Sequence, residues 1–597
     1  MEDFIYKIVT NKSKHTLIGF IVLGFLIFSV AMIPTEILLA KMLPGKSANT
    51  FSIYVDTATN STMEQTREVV ECVAGVLKKE KEVLHMEMFL GQGVPLDYAG
   101  LVKGSSFKSM KNQAELSVNL TDKNHREEPS YLMVHRLRPK VQNKCQSIYK
   151  NTTIKFIEMP SGPPTFATIV VNLFGKDTEL MRKTAKLVEK AMYDTNGLVD
   201  IDVMQDDLYD RFEIIPNVEK IINSNLSIAQ VSDILYMAFK GSAVASKNSA
   251  SQHDQIPIFV SLDKETRTLA SSNKEDLSLK LSRLKLMNKM GVMVPMKEVV
   301  DIIPTTSSPT IFKKNLRNVV TIAAECDLVS QVYPLLDARE LMATRLSKDF
   351  EITRLRGMST YMLDLALVHK KTGEEILLRW DGEMKVSLDT FRDLGGAFIS
   401  ALVLMFLLMV VYYKSFVLSG IVLMGSFLSI IGVILGHILT DFISLYITGV
   451  NFFLTATSLI GFISLMGISA RSSLLLIDFT KSLVENGIEK NRAIAIATAT
   501  RAKPIMLTAV AIILGSLLLA TDPIFGGLGV ALIFGSIAST LVSIFYIPVL
   551  MAKTSHICPD PDEGCPTGSG VNQENLDVSG IAPEVHRGNP IDSIKDN

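Results

Sequence analysis

The chain has 597 residues and a net charge of −1, and hydrophobic residues make up 48% of it. This composition is typical of a protein divided between membrane and water. The near-zero net charge gives no reason to expect binding to nucleic acid. No nucleophile–base arrangement and no phosphate-binding glycine loop is evident, so nothing in the pattern indicates an enzyme.

The chain begins with a short basic segment and an apolar run. Residues 17–40 form a candidate transmembrane helix. The run lacks a small-x-small cleavage site at its end, which favours a retained anchor over a cleaved signal peptide. Residues 1–16 are expected in the cytoplasm, because Lys7, Lys12 and Lys14 precede the run.

Residues 41–392 have the patterns of a folded, water-soluble α+β domain. The first part, residues 41–209, opens with the order β-α-β-β-α-β of a ferredoxin-like split unit. The segment AELSVNL shows the alternation of a strand most clearly. The predicted strands are Phe51–Thr57, Val83–Leu90, Gln113–Thr121 and Thr153–Met159, and the predicted helices are Thr62–Lys79 and Pro129–Ile148.

A second pattern of this kind is split by an inserted segment, residues 210–310. One β-α-β run precedes the insertion, and residues 311–392 complete the unit with another. We therefore predict two related subdomains and one inserted subdomain. The runs are Phe166–Gly175, Thr178–Tyr193 and Val199–Gln205, then Asn318–Asp327, Leu328–Leu346 and Glu351–Arg356, with a further strand at Thr360–Val368.

Residues 393–553 contain five more apolar runs, each long enough to cross a bilayer as a helix. Basic residues fall only in alternate connections, which predicts that both termini are cytoplasmic and that residues 41–392 lie outside. Residues 554–597 are rich in Pro, Gly, Asp and Asn and are predicted to be disordered. The five runs are 395–413, 416–439, 452–479, 504–521 and 526–551.

No metal centre is predicted. The five cysteines are too few and too scattered to indicate a disulfide framework. Cys558 and Cys565 in the tail supply at most half of a zinc site. The segment MNKMGVMVPM places a methionine at every third position from Met287 to Met296. Thioethers select Cu(I), but a spacing of three does not line one face of a strand, so core packing is preferred.

The most informative residue is Arg471, which lies well inside the apolar run 452–479. A charge at membrane depth is costly and usually functional. Snorkelling is the competing interpretation, but Phe479 lies about 12 Å further along the helix, at or beyond the reach of the side chain. Asp478 and His437 lie near the ends of their spans and are interpreted as interfacial.

The predicted spans contain no Asp or Glu at mid-membrane depth. Arginine stays protonated at any working pH, so Arg471 cannot itself carry a proton cycle. If proton flow drives this protein, its titrating carboxylate therefore belongs to another chain.

Several motifs, in order, resemble those of resistance-nodulation-division (RND) efflux transporters of the AcrB type. The segment MLPGKSANTFSIYVDTATNSTMEQT resembles the start of the outer domain in the C-terminal half of such a pump. GISARSSLLLIDF, TRAKPIMLTAVAIILGSLLLA and GGLGVALIFGSIASTLVSIFYIPVL resemble its later spans. The resemblance covers only that half, over residues 1–553. It implies ferredoxin-like porter subdomains, an inserted docking subdomain and six transmembrane helices.

The resemblance also assigns candidate proton-relay residues. Arg471 takes the place of the relay lysine of the family, Arg501 that of its relay arginine, and Thr508 that of its relay threonine. Structural pairing remains open for Arg501, and a hydrogen bond to its own backbone remains open for Thr508. Two features depart from the family: the lysine is an arginine here, and the pair of membrane aspartates has no counterpart.

The resemblance implies a half-size subunit of a proton-driven efflux pump in a bacterial inner membrane, with no cofactor beyond the proton-motive force. Its expected partners are a second RND half that carries the membrane aspartates, a periplasmic adaptor protein and an outer-membrane channel, in a trimeric assembly. A transport-inactive structural half, or a gene fragment, is one alternative. Heavy-metal cation efflux is the other.

Overall fold

The computed structural model describes residues 1–33, 35–160, 162, 164–251, 255–269, 273–354 and 363–557. The predicted tail from residue 558 onward, with Cys558 and Cys565, therefore lies outside the described residues. The same holds for the start of the strand predicted at Thr360–Val368. The chain divides into two compact units: residues 205–312 with residues 57–62, and the remainder.

The N-terminal segment forms two helices, Glu2–Val9 (α1) and Lys12–Ala31 (α2). The side chain of Asn11 caps α2, because its oxygen accepts a hydrogen bond from the backbone N–H of Ser13 at 3.0 Å. The apolar run predicted to extend to residue 40 ends as a helix at Ala31.

The first α+β subdomain contains a four-stranded antiparallel sheet with the strand order β2-β3-β1-β4. Two helices pack on this sheet and complete the β-α-β-β-α-β order of a ferredoxin-like unit. Its core is built from the alternate residues of the strands and the apolar faces of the helices. The elements are Thr50–Asp56 (β1), Met63–Leu77 (α3), Val83–Leu90 (β2), Tyr98–Lys103 (α4), Gln113–Leu120 (β3), Ser130–Val141 (α5) and Thr153–Ile157 (β4).

A disulfide joins Cys72 of α3 to Cys145, which lies in the helical turn after α5. The sequence analysis found no sign of a disulfide framework and did not foresee this single bond. The two residues are 73 positions apart in sequence, and only the packing of α3 beside α5 brings them together. Composition could not reveal this proximity. The bond lies against the core of the first subdomain.

The second subdomain starts with Ile169–Phe174 (β5), Thr178–Tyr193 (α6) and Leu198–Met204 (β6). The insertion then forms the compact unit of residues 205–312, with its own core. It contains three two-stranded antiparallel sheets, which are β7–β12, β8–β9 and β10–β11. Its elements are Asp210–Pro216 (β7), Val218–Asn223 (α7), Ile228–Phe239 (α8), Ser242–Lys247 (β8), Ile256–Val260 (β9), Lys264–Arg267 (α9), Lys274–Arg283 (α10), Lys285–Met287 (β10), Met293–Pro295 (β11) and Val300–Thr306 (β12).

The methionine segment folds as the hairpin β10–β11. Met287 lies directly opposite Met293, so their side chains share one face of the hairpin. Both side chains are exposed, as is that of Met290 in the turn, whereas Met296 is fully buried. The argument that a spacing of three prevents methionines from sharing a face was therefore incomplete, because it ignored the turn between two strands.

The second subdomain is completed after the insertion by a seven-stranded sheet that also contains β5 and β6. The sequence analysis missed its strand Glu375–Asp381. This strand pairs with both β5 and the preceding strand, and it buries Trp380 in the core. The elements are Lys313–Lys314 (β13), Arg317–Cys326 (β14), Val332–Leu346 (α11), Phe350–Arg354 (β15), Leu365–His369 (β16) and Glu375–Asp381 (β17).

Buried ion pairs join the two subdomains. Arg138 of α5 is only 5% exposed. It donates hydrogen bonds to Asp200 of β6 at 3.0 Å and to Asp327, after β14, at 2.8 Å. Lys155 of β4 contacts Asp202 of β6 at 2.5 Å. Because buried charges are tolerated when they are paired and hydrogen-bonded, these contacts fix how the two sheets lie against each other.

The rest of the chain is a helical bundle. Together with α2 it contains six helical segments, among the described residues, that are long and apolar enough to cross a membrane. Gly432, Gly436 and Gly535 lie so close to neighbouring helices that an added Cβ would clash. The helices are Glu383–Tyr413 (α12), Phe416–Leu428 (α13), Ile430–Thr448 (α14), Ala456–Glu485 (α15), Lys490–Ala520 (α16), Gly526–Leu541 (α17) and Ile547–Lys553 (α18).

Removal of the disulfide is expected to destabilise the first subdomain. The double variant Cys72→Ala/Cys145→Ala should lose about 2–5 kcal/mol of unfolding free energy, because the unfolded chain regains its freedom. Thermal unfolding of the purified protein with and without reductant measures the loss. Cys326→Ala, at a free cysteine outside this bond, is the control: it keeps the disulfide and should lose stability with reductant as the wild type does, whereas the double variant should not respond. Finding both thiols free in the unreduced protein would contradict the prediction.

Loss of the Arg138 side chain is expected to lower the free energy of unfolding strongly. Arg138→Met leaves Asp200 buried without its charge partner and should destabilise the protein by about 3–5 kcal/mol. Arg136→Met is the matched control, because Arg136 pairs with Glu80 and Glu128 in a partly exposed position and should cost about 1 kcal/mol or less. Denaturant unfolding in detergent compares the two. Equal losses would show that the Arg138 pairs do not hold the subdomains together.

Candidate functional site

Arg471 lies midway along α15 and is exposed on the surface of the bundle. Within the described part of the chain, its guanidinium makes no ion pair or hydrogen bond. A charged side chain at this position of a membrane helix is costly unless something outside this bundle pairs with it. The relay role of Arg471 therefore stays a prediction. If a partner pairs with it, that partner would contact the exposed face of α15.

The surroundings of Arg471 form one exposed face of α15. Ile460, Ser464, Gly467 and Leu475 are exposed at helical spacing above and below it. A Cβ added at Gly467 would meet no atom within 4 Å. Small residues allow membrane helices to approach closely, so this face has room for another helix beside the guanidinium.

Arg501 and Thr508 both lie on α16 but in different surroundings. Arg501 is half-buried, and its guanidinium lies 4.7 Å from the centre of the Phe479 ring of α15. Its Nε is buried without a hydrogen-bond partner in the described chain. Thr508 is exposed, and its hydroxyl donates to the backbone oxygen of Ile505 at 2.8 Å. Both relay assignments stay predictions.

The helix geometry separates these residues into two levels. Helices α15 and α16 are consecutive, pack together and run in opposite directions. Arg471 is about 12 Å along α15 from Phe479, and Thr508 is about 10 Å along α16 from Arg501. Arg471 and Thr508 thus lie at a similar depth, whereas Arg501 lies nearer the ends that the connection between α15 and α16 joins. The structure does not bring Arg501 against Arg471.

The two polar residues interpreted as interfacial differ from each other. Asp478 accepts a hydrogen bond from the hydroxyl of Tyr413 at 2.8 Å, near one end of the bundle. His437, in contrast, is completely buried where α14 contacts its neighbouring helices. Its Nδ1 lies 2.8 Å from the carbonyl of Val433 and its Nε2 lies 2.8 Å from the hydroxyl of Ser458. This burial was not foreseen, because it depends on the contacts of α14 with α15 and α17, and the interfacial depth of His437 stays a prediction.

A short strap, residues 39–42, ties the start of α15 to the second subdomain. Leu454 donates its N–H to the carbonyl of Leu39 at 2.8 Å and accepts from Lys41 at 3.0 Å. On the other side of the strap, the Ser330 hydroxyl donates to the carbonyl of Ala40 at 2.5 Å. The helix that carries Arg471 is therefore hydrogen-bonded, through the strap, to the turn that precedes α11.

A cavity of about 640 Å³ lies beside the strap. Its walls come from the strap, the ends of α14 to α17 and the edges of both α+β subdomains. The carboxylate of Glu158 lines it. This side chain is half-buried, and it makes no hydrogen bond or ion pair with any residue that the structure describes. Sequence reasoning missed Glu158, because neither its position after β4 nor the surrounding residues form a motif.

Comparison with known proteins agrees with this architecture. The model of the AcrB/AcrD/AcrF family matches residues 2–352 and 359–554. The swarming motility protein SwrC of Bacillus subtilis is 22% identical over 559 residues, which cover 92% of this chain and 46% of SwrC. The cobalt-zinc-cadmium resistance protein CzcA of Cupriavidus metallidurans is 22% identical over 408 residues, which cover 66% of this chain and 34% of CzcA.

A crystal structure of a heavy metal efflux pump has the same fold, with a TM-score of 0.68 and 15% identity. The match covers 92% of this chain and 51% of that chain. The chain thus spans about half the length of the relatives that it matches. Because the family model matches almost all of its described residues, the chain belongs to the AcrB/AcrD/AcrF family of RND efflux transporters.

Proposed function

We propose that the chain is a half-size subunit of a proton-driven RND efflux pump that exports small molecules. A second chain supplies the membrane carboxylates. The observation that carries this proposal is Arg471: a permanent cation, midway along a membrane helix, exposed and without an acidic partner in the described chain. An arginine in this position needs a counter-charge, and the open face beside it suits a docked helix.

The proposed coupling starts at that partner carboxylate. While it is ionised, Arg471 attracts it and lowers its pKa. When it binds a proton the attraction is lost, and α15 is free to shift against its neighbour. The strap passes this movement on, because it is hydrogen-bonded both to the start of α15 and to Ser330 of the second subdomain. A continuous chain of hydrogen bonds of this kind can couple two distant parts of a protein.

The chain is proposed to reside in a bacterial inner membrane with both termini in the cytoplasm. The α+β subdomains, as porter subdomains, and the inserted docking subdomain would then lie in the periplasm. The Cys72–Cys145 disulfide supports this side, because disulfides persist in oxidising compartments. A periplasmic adaptor, an outer-membrane channel and a trimeric arrangement complete the proposed assembly.

Removal of the charge at Arg471 is expected to abolish efflux without preventing assembly. Arg471→Ala should lower the initial rate of substrate efflux at least about tenfold, which corresponds to 1.36 kcal/mol. Arg471→Lys should retain part of the rate, since it keeps a positive charge. Lys503→Ala, at an exposed residue of α16, is the control and should leave the rate unchanged. Growth of an expressing strain in the presence of substrate, together with efflux from loaded cells, gives the comparison.

The same proposal is tested by the mass and identity of the chains in the complex that mild detergent extracts from native membranes. A second chain of similar size with an Asp pair in a membrane helix is expected in it. Undiminished efflux by Arg471→Ala, or a complex of this chain alone, would instead favour a structural half that does not use this site.

Heavy-metal cation export is a second candidate, and one observation favours it. The hairpin β10–β11 places the exposed thioethers of Met287 and Met293 on one face, with Met290 exposed in the turn. Thioether sulfurs are soft ligands that select Cu(I) and similar ions. Relatives named for metal resistance make this candidate worth a direct test.

If the hairpin binds soft metal ions, Met287→Leu/Met293→Leu should lose binding of Ag(I) by the purified protein, because leucine keeps the volume but removes the sulfur. A strain that expresses this double variant should be more sensitive to silver than a strain that expresses the wild type. Met88→Leu, at an exposed methionine of another sheet, is the control. Equal Ag(I) binding by all three proteins would remove the hairpin as a metal site.

A further inference from the structure

His437 is a buried titratable side chain of the helical bundle that the proposed function does not use. Its ring is completely buried, and it packs against the ring of Phe452 with 5.8 Å between the ring centres. The contact between Nδ1 and the Val433 carbonyl at 2.8 Å places the hydrogen on Nδ1, because a carbonyl oxygen can only accept. In a neutral imidazole Nε2 is then an acceptor, and the hydroxyl of Ser458 donates to it at 2.8 Å.

Ser458 belongs to the N-terminal cap of α15. Its oxygen accepts the backbone N–H of Thr455 at 3.0 Å, and the Thr455 hydroxyl accepts the N–H of Ser458 at 3.4 Å. The hydroxyls of Thr455 and Thr457 lie 2.8 Å apart, and that of Thr457 donates to the carbonyl of Ile524 at 3.2 Å. With a neutral His437, each of these hydroxyl hydrogens has an acceptor of its own.

Protonation of the ring opposes this arrangement in two ways. A second N–H on the ring removes the acceptor of Ser458, whose hydroxyl must then turn to Thr455 at 3.0 Å. The added charge would also lie, away from water, beside the first turns of two helices. The start of α17 packs on the same cap, since a Cβ added at Gly527 would lie 2.3 Å from the Ser458 oxygen. Helix N-termini carry partial positive charge and disfavour a cation.

The charged groups around the cap are already engaged. Asp441, one turn further along α14, accepts the backbone N–H of Phe452 at 2.5 Å. Asp522 accepts N–H groups of the turn that precedes α17. The ammonium of Lys41, in the strap, lies over a phenylalanine ring. The sequences of α17, of the second half of α2 and of the first three turns of α15 contain no acidic or basic residue. A buried imidazolium would therefore have little to compensate it.

We propose that His437 is a proton-sensitive positioning residue, which holds the start of α15 while its ring is neutral. The imidazolium is stable only after the ring leaves this site, so protons favour a state in which the cap of α15 is released. The inference goes beyond the proposed function and does not rest on it, because the contact lies within this chain. It is also separate from Arg471, which is about 20 Å further along α15.

Release of the cap would also act on the strap. The N–H of Leu454 donates to the carbonyl of Leu39 at 2.8 Å, and the N–H of Ala456 donates to that of Met42 at 3.2 Å. Both donors lie within two residues of the cap, so a released cap loosens the connection between α15 and the strap. In the predicted topology this end of the bundle faces the outside, and His437 would respond to the pH there.

The test measures hydrogen exchange of the backbone amides of residues 452–460 in the full-length protein, reconstituted in lipid nanodiscs. The second chain is retained if it copurifies. Rates are corrected for the pH dependence of exchange in an unstructured peptide. A free imidazole titrates near about pH 6.5, so protection should fall about tenfold from about pH 8 to about pH 5.5. This range lies above the usual titration of carboxyl groups.

His437→Gln separates the proton response from the packing of the ring. Its amide can donate to the Val433 carbonyl and accept from Ser458, as the neutral imidazole does, but it does not titrate. It should keep the protection of the wild type at about pH 8 and lose the pH dependence. His15→Gln is the matched control, because His15 is also buried in an apolar helix and bonds to the carbonyl of Val9 at 2.8 Å. It should leave the tenfold change in place.

Protection that is independent of pH in the wild type would overturn the proposal. An equal pH dependence in His437→Gln would also overturn it, because another group would then titrate. Size-exclusion and thermal unfolding establish that the variants are folded, and if His437→Gln is not, the pH profile of the wild type still decides. Exchange needs no transport, so loss of efflux in Arg471→Ala with a flat exchange profile would retain the pump and discard the role of His437.

Discussion

A charged side chain away from water is costly unless an opposite charge pairs with it, and the arrangement of this structure depends on that constraint. Arg138 shows the rule: it is buried, but two aspartates of the neighbouring subdomain neutralise it and fix the two sheets against each other. Arg471 and Glu158 are the exceptions that matter. One is a cation at membrane depth without a counter-charge in the described chain, and the other is a half-buried carboxylate that faces a cavity. Exceptions to charge pairing are expensive, so they mark the two candidate functional positions of this chain.

The strap, residues 39–42, connects the helix that carries Arg471 with the cavity that Glu158 lines. It contributes Lys41 to the wall of the cavity and hydrogen-bonds to the residues that open α15. Thr455 then caps α15 with a reciprocal pair of hydrogen bonds to Ser458. The start of the helix is thus hydrogen-bonded to the cavity wall, while Arg471 lies further along the same helix. A displacement of α15 along its axis would therefore also move the strap.

The sequence predicted the parts of this architecture that depend on local periodicity. Six apolar runs and the alternating strands of the first sheet needed only the chemistry of nearby residues. It could not reveal what depends on tertiary proximity: the bond between Cys72 and Cys145, or the burial of His437. Strand β17 was missed because its pattern, EILLRWD, carries charges at both ends, although it lies in the interior of the second sheet. The candidate site divides in the same way, since Arg471 stands out in an apolar run whereas Glu158 becomes notable only when the cavity is seen.

The two exceptional groups also differ in what they can do with a proton. Arginine keeps its charge at any working pH, so Arg471 can only respond to a proton that binds elsewhere. Glu158 has a pKa of about 7 and can exchange a proton with the solution near neutrality. The first group is suited to the proposed response to a partner carboxylate, whereas the second lies outside the apolar helices and can take up or release a proton itself. Under the proposed function, the titration beside Arg471 would therefore belong to the partner chain, and any titration at Glu158 would belong to this chain.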